Sequence, residues 1–496
     1  MRRKPLSPSF FSHSNYSRLL LILLLLLIAV TLVSAAVFVY YPVGLTASWV
    51  APPIRFLDPL SGVSVTLSNE NTTAVVDVPT TMITRDLILV KRNAFIYDDF
   101  NNDPLANGRI TILGSCNPGY RWVNAPDPYV VFDASNGASG GWNVDHMVAY
   151  YANQTSGTNV YLLMKTRRSF PGGSQANSWK GFFLFQSIAN RLYYTYEFRD
   201  SFSPGSAFMT IVMCGPDSTT RLVTGGRPDS GGWYTQWGVR NRNTGYMQFT
   251  TYDTAYTPST ISVTNNSYVG APIQVGFGGG LARGGVYYFD DFIASSDADP
   301  IYGMYADPRN ITVIGLNPGW RVRVEAPGST TQWAVADAYG VARINMMDNP
   351  IVRDGSLHVV GSSIDVTKQF STIVGGDVYR FISVLTDRNL LAYHNYDTKS
   401  YNVYLKLDSY SISGTVYFLN LWVGSGTGTT PIRIADNVVV TDTSSTISLG
   451  ASATNYMHAN AALTPSSTVV LTLSFHYYIP SSEVEVEYPV TVTIHG

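Results

Sequence analysis

The chain has 496 residues, of which only 13% are charged, about half the usual ~25%, while tyrosine (33) and glycine (42) are plentiful and glutamate occurs six times. Taking Arg2, Arg3, Lys4 and Arg18 from the 32 basic residues leaves 28 against 34 acidic ones, a balance of −6 beyond the N-terminal tail. With no long basic run, this excludes nucleic acid as a partner, and the length allows about three domains of ~150 residues.

Residues 1–18 form a basic tail without an acidic residue, and residues 19–40 follow as 22 positions without a charge. Such a run can cross a hydrocarbon core of ~30 Å, and the basic flank predicts a cytoplasmic N-terminus with the remainder outside. Two readings stay open: a retained transmembrane helix in a single-pass cell-membrane protein, or a signal peptide cleaved after Ala35, behind the small residues Val33-Ser34-Ala35, releasing a secreted protein.

After Tyr40 the pattern is period-2 alternation punctuated by turn residues, so an all-β exported region is expected. Residues 41–92 read as a stalk and hairpin: Pro52-Pro53 interrupts regular structure, and Val63–Leu67 and Ala74–Val78 flank the turn Asn69-Glu70-Asn71. Residues 299–366 carry short Gly-separated strands that look like a small immunoglobulin- or transthyretin-like spacer. In 367–496 two alternating runs, 469–479 and 484–494, predict strands with one dry and one wet face. Thr372–Val378 is similar to Thr81–Leu87, so 62–92 and 372–496 are a candidate single domain interrupted by the intervening residues.

Residues 93–298 open with Tyr97-Asp98-Asp99-Phe100 and close with Phe289-Asp290-Asp291-Phe292, bracketing a Trp- and Gly-rich middle. This arrangement resembles the concanavalin A-like, laminin G-like jelly rolls of archaeal and bacterial surface proteins. The resemblance implies that the first and last strands lie side by side. The expected architecture is therefore an N-terminal transmembrane helix, a jelly-roll β-sandwich, a small sandwich and a C-terminal β-sandwich.

Several residues are candidates for chemistry. Trp122, Trp142, Trp179, Trp233 and Trp237 could stack on sugar rings, with Trp142 and Trp233 favoured by their Gly-Gly loops; core packing is the competing role for each. Asp98, Asp99, Asp290 and Asp291 are candidate Ca²⁺ ligands if the terminal strands pair, although alternation sends neighbouring Asp residues to opposite faces. Ca²⁺ is the one cofactor suggested. Cys116 and Cys214 are a candidate disulfide in an exported chain, worth ~4–5 kcal/mol for a loop of ~100 residues. Asn71, Asn153, Asn265 and Asn310 head glycosylation sequons.

A catalytic reading finds little. Glycosidases of this fold type place two carboxylates around the scissile bond, and no Glu-x-Asp-x-Glu strand occurs. Glu483, Glu485 and Glu487 suit a solvated strand face, and the histidines show no metal spacing. The expected function is non-catalytic: a membrane-anchored surface protein that binds carbohydrate or a surface polymer in adhesion. The alternative is a structural subunit that self-associates into a filament or surface layer by β-strand addition through the Tyr41–Leu60 arm or an open C-terminal edge. A glycoside hydrolase is the third and least supported reading.

Overall fold

The computed structural model describes residues 51–496 apart from 60–61, 117, 136–137, 140–145, 170–178, 200–207, 227–231, 281–284, 425–429 and 482–483. The expected membrane segment 19–40 and Trp142 lie outside the described residues. Among the described residues the chain is all-β, with two 3-10 turns, and no helix is long and apolar enough to cross a membrane.

Three sandwiches form, each around its own apolar core. The inserted sandwich uses strands from Ala94–Asp98 to Val286–Ser296, arranged as a seven-stranded and an eight-stranded sheet. Phe182, Leu184, Tyr196, Phe249, Phe277, Phe289 and Phe292 meet between these sheets. Its terminal strands are neighbours in the eight-stranded sheet, with Asp98 opposite Phe292 and Tyr97 opposite Ile293. The aromatic core explains the sheet positions: rings on alternate residues of Trp179–Ser187 and Leu192–Arg199 point inward and pack at edge-to-face and tilted angles.

The middle sandwich packs Ile311, Val313, Val322, Val324, Leu357, Val359 and Phe381 around Leu87. Its strand Asp365–Val374 pairs along Ile351–Val360. The C-terminal sandwich packs Phe56, Val76, Val403, Leu421, Phe475 and Val492. Strands from both ends of the sequence share its sheets: Thr73–Val78 runs parallel to Glu485–His495, and Ile54–Leu57 runs antiparallel to the end of Asp377–Asn395.

The strand Asp377–Asn395 joins the middle and C-terminal sandwiches. Its first half pairs with Thr84–Arg92 and Asn310–Ile314, contributing Tyr379 and Phe381 to the middle core. Its second half pairs with Thr454–Leu463 and contributes Leu390, Leu391 and Tyr393 to the C-terminal core. A single 19-residue strand thus belongs to two cores.

The inserted sandwich leaves and re-enters at one point. Arg92, at the end of its strand, forms a fork with Asp377 at 2.9 Å, and the Asn93 amide donates to the carbonyls of Gly376 and Tyr302, each at 3.1 Å. The outer face of the eight-stranded sheet rests against the middle sandwich through Leu163, Trp237, Val239 and Ile293, which meet Ile351 and Val374.

Two features differ from the expected assembly edges. The C-terminal strand is not an open edge: Glu485–His495 lies between Thr73–Val78 and Thr468–Tyr478. The segment Ile54–Leu57 of the proposed arm is paired within its own chain, with Ile54 and Phe56 buried.

Candidate functional site

In the paired Asp-Asp-Phe motifs, expected as calcium ligands, the carboxylates fix backbone geometry and pair with cations of the chain. Asp98 accepts from the Phe100 amide at 2.9 Å and holds that residue in a left-handed turn (φ 54°). It is also bound by Arg109 at 2.9 Å and by the Tyr151 hydroxyl at 3.2 Å. Asp290 accepts from the amide of Asp291, itself left-handed at φ 49°. Asp291 pairs with Lys165 at 2.7 Å. Asp99 is gripped by Arg353 of the middle sandwich and by the Asn101 amide at 2.6 Å. Each site already has a cation from the chain, and among the described residues no three metal-ligating side chains converge.

Burial sets the electrostatics of these groups. It pushes the Asp98 carboxyl up to about 6 against the opposing pull of Arg109. It also raises Asp290 and Asp291 above the ordinary carboxylate range. Burial opposes ionisation of Asp99 as well, yet the Arg353 guanidinium holds its carboxyl below that range.

The cysteines do not meet. Cys214 is a free buried thiol at the end of Met209–Cys214, and burial pushes its pKa up to about 12. The short strand Ser115–Cys116 lies beside His146–Thr155, which is four strands from Met209–Cys214 in the seven-stranded sheet. Four spacings of ~4.8 Å make roughly 19 Å, whereas a disulfide needs Cα atoms within ~7 Å.

The tryptophans separate into three situations. Trp179 is buried on the outer face of the seven-stranded sheet, packed with Phe183. Trp237 is 4% exposed, donates to Asp307 at 3.2 Å and carries Arg309 over its ring at 4.0 Å, so it anchors the inserted sandwich to the middle one. Trp122 is half-buried against the core edge and donates to the Phe100 carbonyl at 2.7 Å. These three are structural.

Trp233 is different. It precedes Tyr234–Asn241, is half-buried, and stands edge-on to Tyr129 and at a similar distance from Tyr288, with centroids 6.5 Å away in both cases. Arg167 lies over Tyr288 at 5.0 Å. A cavity of about 100 Å³ opens beside Trp233, lined by Lys165, Thr235, Asp253, Thr254 and Tyr256. Although burial opposes its charge, Asp291 and Asp290 raise the Lys165 ammonium above its ordinary pKa, so it stays protonated within that ion pair. Asp253 accepts from the amides of Ala255 and Thr257, at 3.0 and 2.9 Å, and so shapes the turn that presents Tyr256.

An aromatic platform beside hydrogen-bonding groups and a fixed ammonium can hold a polar ligand with one apolar face. The Gly-Gly loop before Trp233 was a usable sequence signal. Tyr129 and Lys165 carried none, because strands distant in sequence bring them beside it.

The sequon asparagines are dispersed. Asn153 is exposed on His146–Thr155; Asn71 sits in the hairpin turn; Asn310 begins a middle-sandwich strand. Asn265 is half-buried and accepts from the Tyr194 hydroxyl at 2.8 Å.

No family model matches the sequence, and no curated protein matches it. Among solved structures, lectin I-B4 from Griffonia simplicifolia is similar over 40% of this chain and 98% of its own, at 10% identity and a TM-score of 0.28. Peanut lectin is similar over 43% of this chain and 97% of its own, at 8% identity and a TM-score of 0.28. Lectin I from Ulex europaeus covers 43% and 97%, at 10% identity and a TM-score of 0.27. Overlaps of this size assign neither an activity nor a ligand to the chain.

Proposed function

We propose that this is a non-catalytic surface protein that binds carbohydrate through the Trp233 cavity. The observation that carries the reading is the half-buried Trp233, set among Tyr129 and Tyr288 at a cavity that also presents Lys165, Thr235, Asp253 and Thr254. Sugars present a C–H face to a ring and hydroxyls to the rim, and this wall supplies both kinds of partner. The uncharged stretch 19–40 with its basic flank supports attachment to the cell membrane with the sandwiches outside.

Self-assembly is a second reading, favoured by the edge strand Val438–Thr441. It leaves Val438 and Val440 62% and 59% exposed at the end of a sheet, and exposed apolar edges pair with other chains.

The test is retention of the detergent-solubilised full chain on immobilised neutral and acidic polysaccharides, with its size measured in parallel. A retained monomer whose affinity falls about tenfold in Trp233→Ala, ~1.4 kcal/mol, supports the binding reading. No retention by any polysaccharide, together with ordered polymers, overturns it in favour of assembly.

A further inference from the structure

A second cavity opens where the inserted and middle sandwiches meet. It measures about 270 Å³, just below the ~300–1,000 Å³ usual for ligand pockets. Its middle-sandwich wall presents Trp333, Gln332, Arg343 and Asn345, and Tyr256 closes the side toward the inserted sandwich. Tyr256 also lines the Trp233 cavity, so the two spaces share one wall.

The chemistry of this cavity is specific. Trp333 is half-buried and held by its neighbours: Arg323 and Arg321 lie over its ring at 4.3 and 5.3 Å, and His358 meets it edge-on at 5.3 Å. Arg323 and His358 are themselves tied to Glu325, the histidine at 2.9 Å. The ring is therefore a fixed platform rather than a mobile side chain.

Asp348 is engaged by the Tyr256 hydroxyl, whose pKa rises to about 12 through burial and that carboxylate. That contact ties the Tyr256 turn to the middle sandwich. Arg343 lines the same space, is exposed, and has no ion-pair partner among the described residues. Lys165 in the neighbouring cavity is already paired with Asp291, so of the two cavity cations Arg343 is the one without an ion-pair partner among the described residues.

We propose that the two cavities form one groove for an acidic oligosaccharide, with one sugar at Trp233, another at Trp333, and a sugar carboxylate at Arg343. This rests on the carbohydrate reading and deepens it from a single sugar to a charged chain that spans two sandwiches. Two aromatic platforms separated by a shared tyrosine wall suit a linear polymer. A guanidinium matches a planar carboxylate through paired, charge-assisted hydrogen bonds, which the hydroxyls of a neutral sugar cannot strengthen with a charge.

The experiment is a calorimetric titration of the full-length protein in detergent. The ligands are tetragalacturonate and cellotetraose, with a tetraglutamate peptide as a charge control. Arg343→Ala removes an exposed side chain, so the fold is kept, and matching thermal unfolding verifies this for each variant. Tetragalacturonate affinity is expected to fall about tenfold in Arg343→Ala, in Trp333→Ala and in Trp233→Ala, while cellotetraose binding is unchanged in Arg343→Ala.

Wild-type binding in Arg343→Ala and Trp333→Ala, with loss in Trp233→Ala, overturns the inference and leaves the first reading intact. Loss in Trp333→Ala with wild-type binding in Trp233→Ala overturns both the spanning ligand and the Trp233 assignment. Tetraglutamate binding as tight as tetragalacturonate, and insensitive to either tryptophan, replaces the glycan with an acidic peptide and overturns the inference. Absence of binding to any of the three ligands overturns it as well.

Discussion

In the C-terminal sandwich, Glu485–His495 alternates between buried and more exposed positions, whereas the first seven residues of Trp179–Ser187 in the inserted sandwich are all buried. The two regions treat polar groups accordingly. The C-terminal core holds few, such as Asn395 and His476. The inserted sandwich encloses Lys180, Arg168, Arg240, Glu197, Asp98, Asp290 and Asp291. A sheet with one wet face sheds its charges to water. A sheet covered on both faces must pair them, as Glu197 does with Arg199 (Nε at 3.0 Å) and Thr195 (3.0 Å). The region with the enclosed ion pairs also supplies the Trp233 end of the candidate groove.

Mutations that probe each kind of burial sharpen this contrast. The largest effect is expected for Trp237→Ala, which empties the junction between the inserted and middle sandwiches. Truncation of a buried aromatic costs ~3–5 kcal/mol, read as an early unfolding transition in denaturant. An unchanged midpoint would mean that the junction contributes nothing to stability.

Lys165→Met leaves Asp290 and Asp291 enclosed without their cation. The expected cost at neutral pH is ~3 kcal/mol, the lower end for breaking a buried pair. The penalty should shrink in acid, because burial has already raised both carboxyls toward the neutral form. Equal destabilisation at pH 4 and pH 7 would contradict this account.

Asp98 gives a defined pH window. Its folded pKa of about 6 exceeds the ordinary value of 3.8. The folded state therefore holds the proton more tightly, and stability from this group falls as pH rises from about 4 to 6 and is level above. Two pH units correspond to roughly 3 kcal/mol. Asp98→Asn should abolish that slope in the variant, so that the difference between variant and wild type changes by this amount between pH 4 and 6; parallel curves would sink the assignment.

The smallest effect is expected at the wet edge. Val438→Lys, at a position 62% exposed in the C-terminal sandwich, should change stability by no more than ~0.5 kcal/mol. A larger loss in thermal unfolding would show that this edge is covered in solution.

Much of the strand pattern was legible. The alternation in 469–479 and 484–494 corresponds to Thr468–Tyr478 and Glu485–His495, which pair with Leu471 opposite Val492. The turn Asn69-Glu70-Asn71 joins Ser64–Ser68 to Thr73–Val78, and all three turn residues have positive φ. The two Asp-Asp-Phe motifs pointed to neighbouring terminal strands, and the strands are neighbours. Their ion-pair partners were not legible, because Arg109, Arg353 and Lys165 come beside them only through the fold. Cys116 and Cys214 suggested a bridge for a similar reason, since strand order within a sheet cannot be read from spacing along the chain.

Trp233 and Trp237 mark the boundary between the two kinds of information. They lie four residues apart and approach the same outer face of one sheet, so period-2 alternation treats them alike. Alternation is a local property of the backbone, and the sequence by itself determined the all-β character, the strand pairs around tight turns and the side of the sheet on which a ring stands. Which ring is covered depends on where a separate sandwich docks. Ile351 and Val374, more than 100 residues away, close over Trp237 and stop short of Trp233. Only the tertiary structure decided that one tryptophan is an anchor and the other faces a cavity, because burial is set by long-range packing.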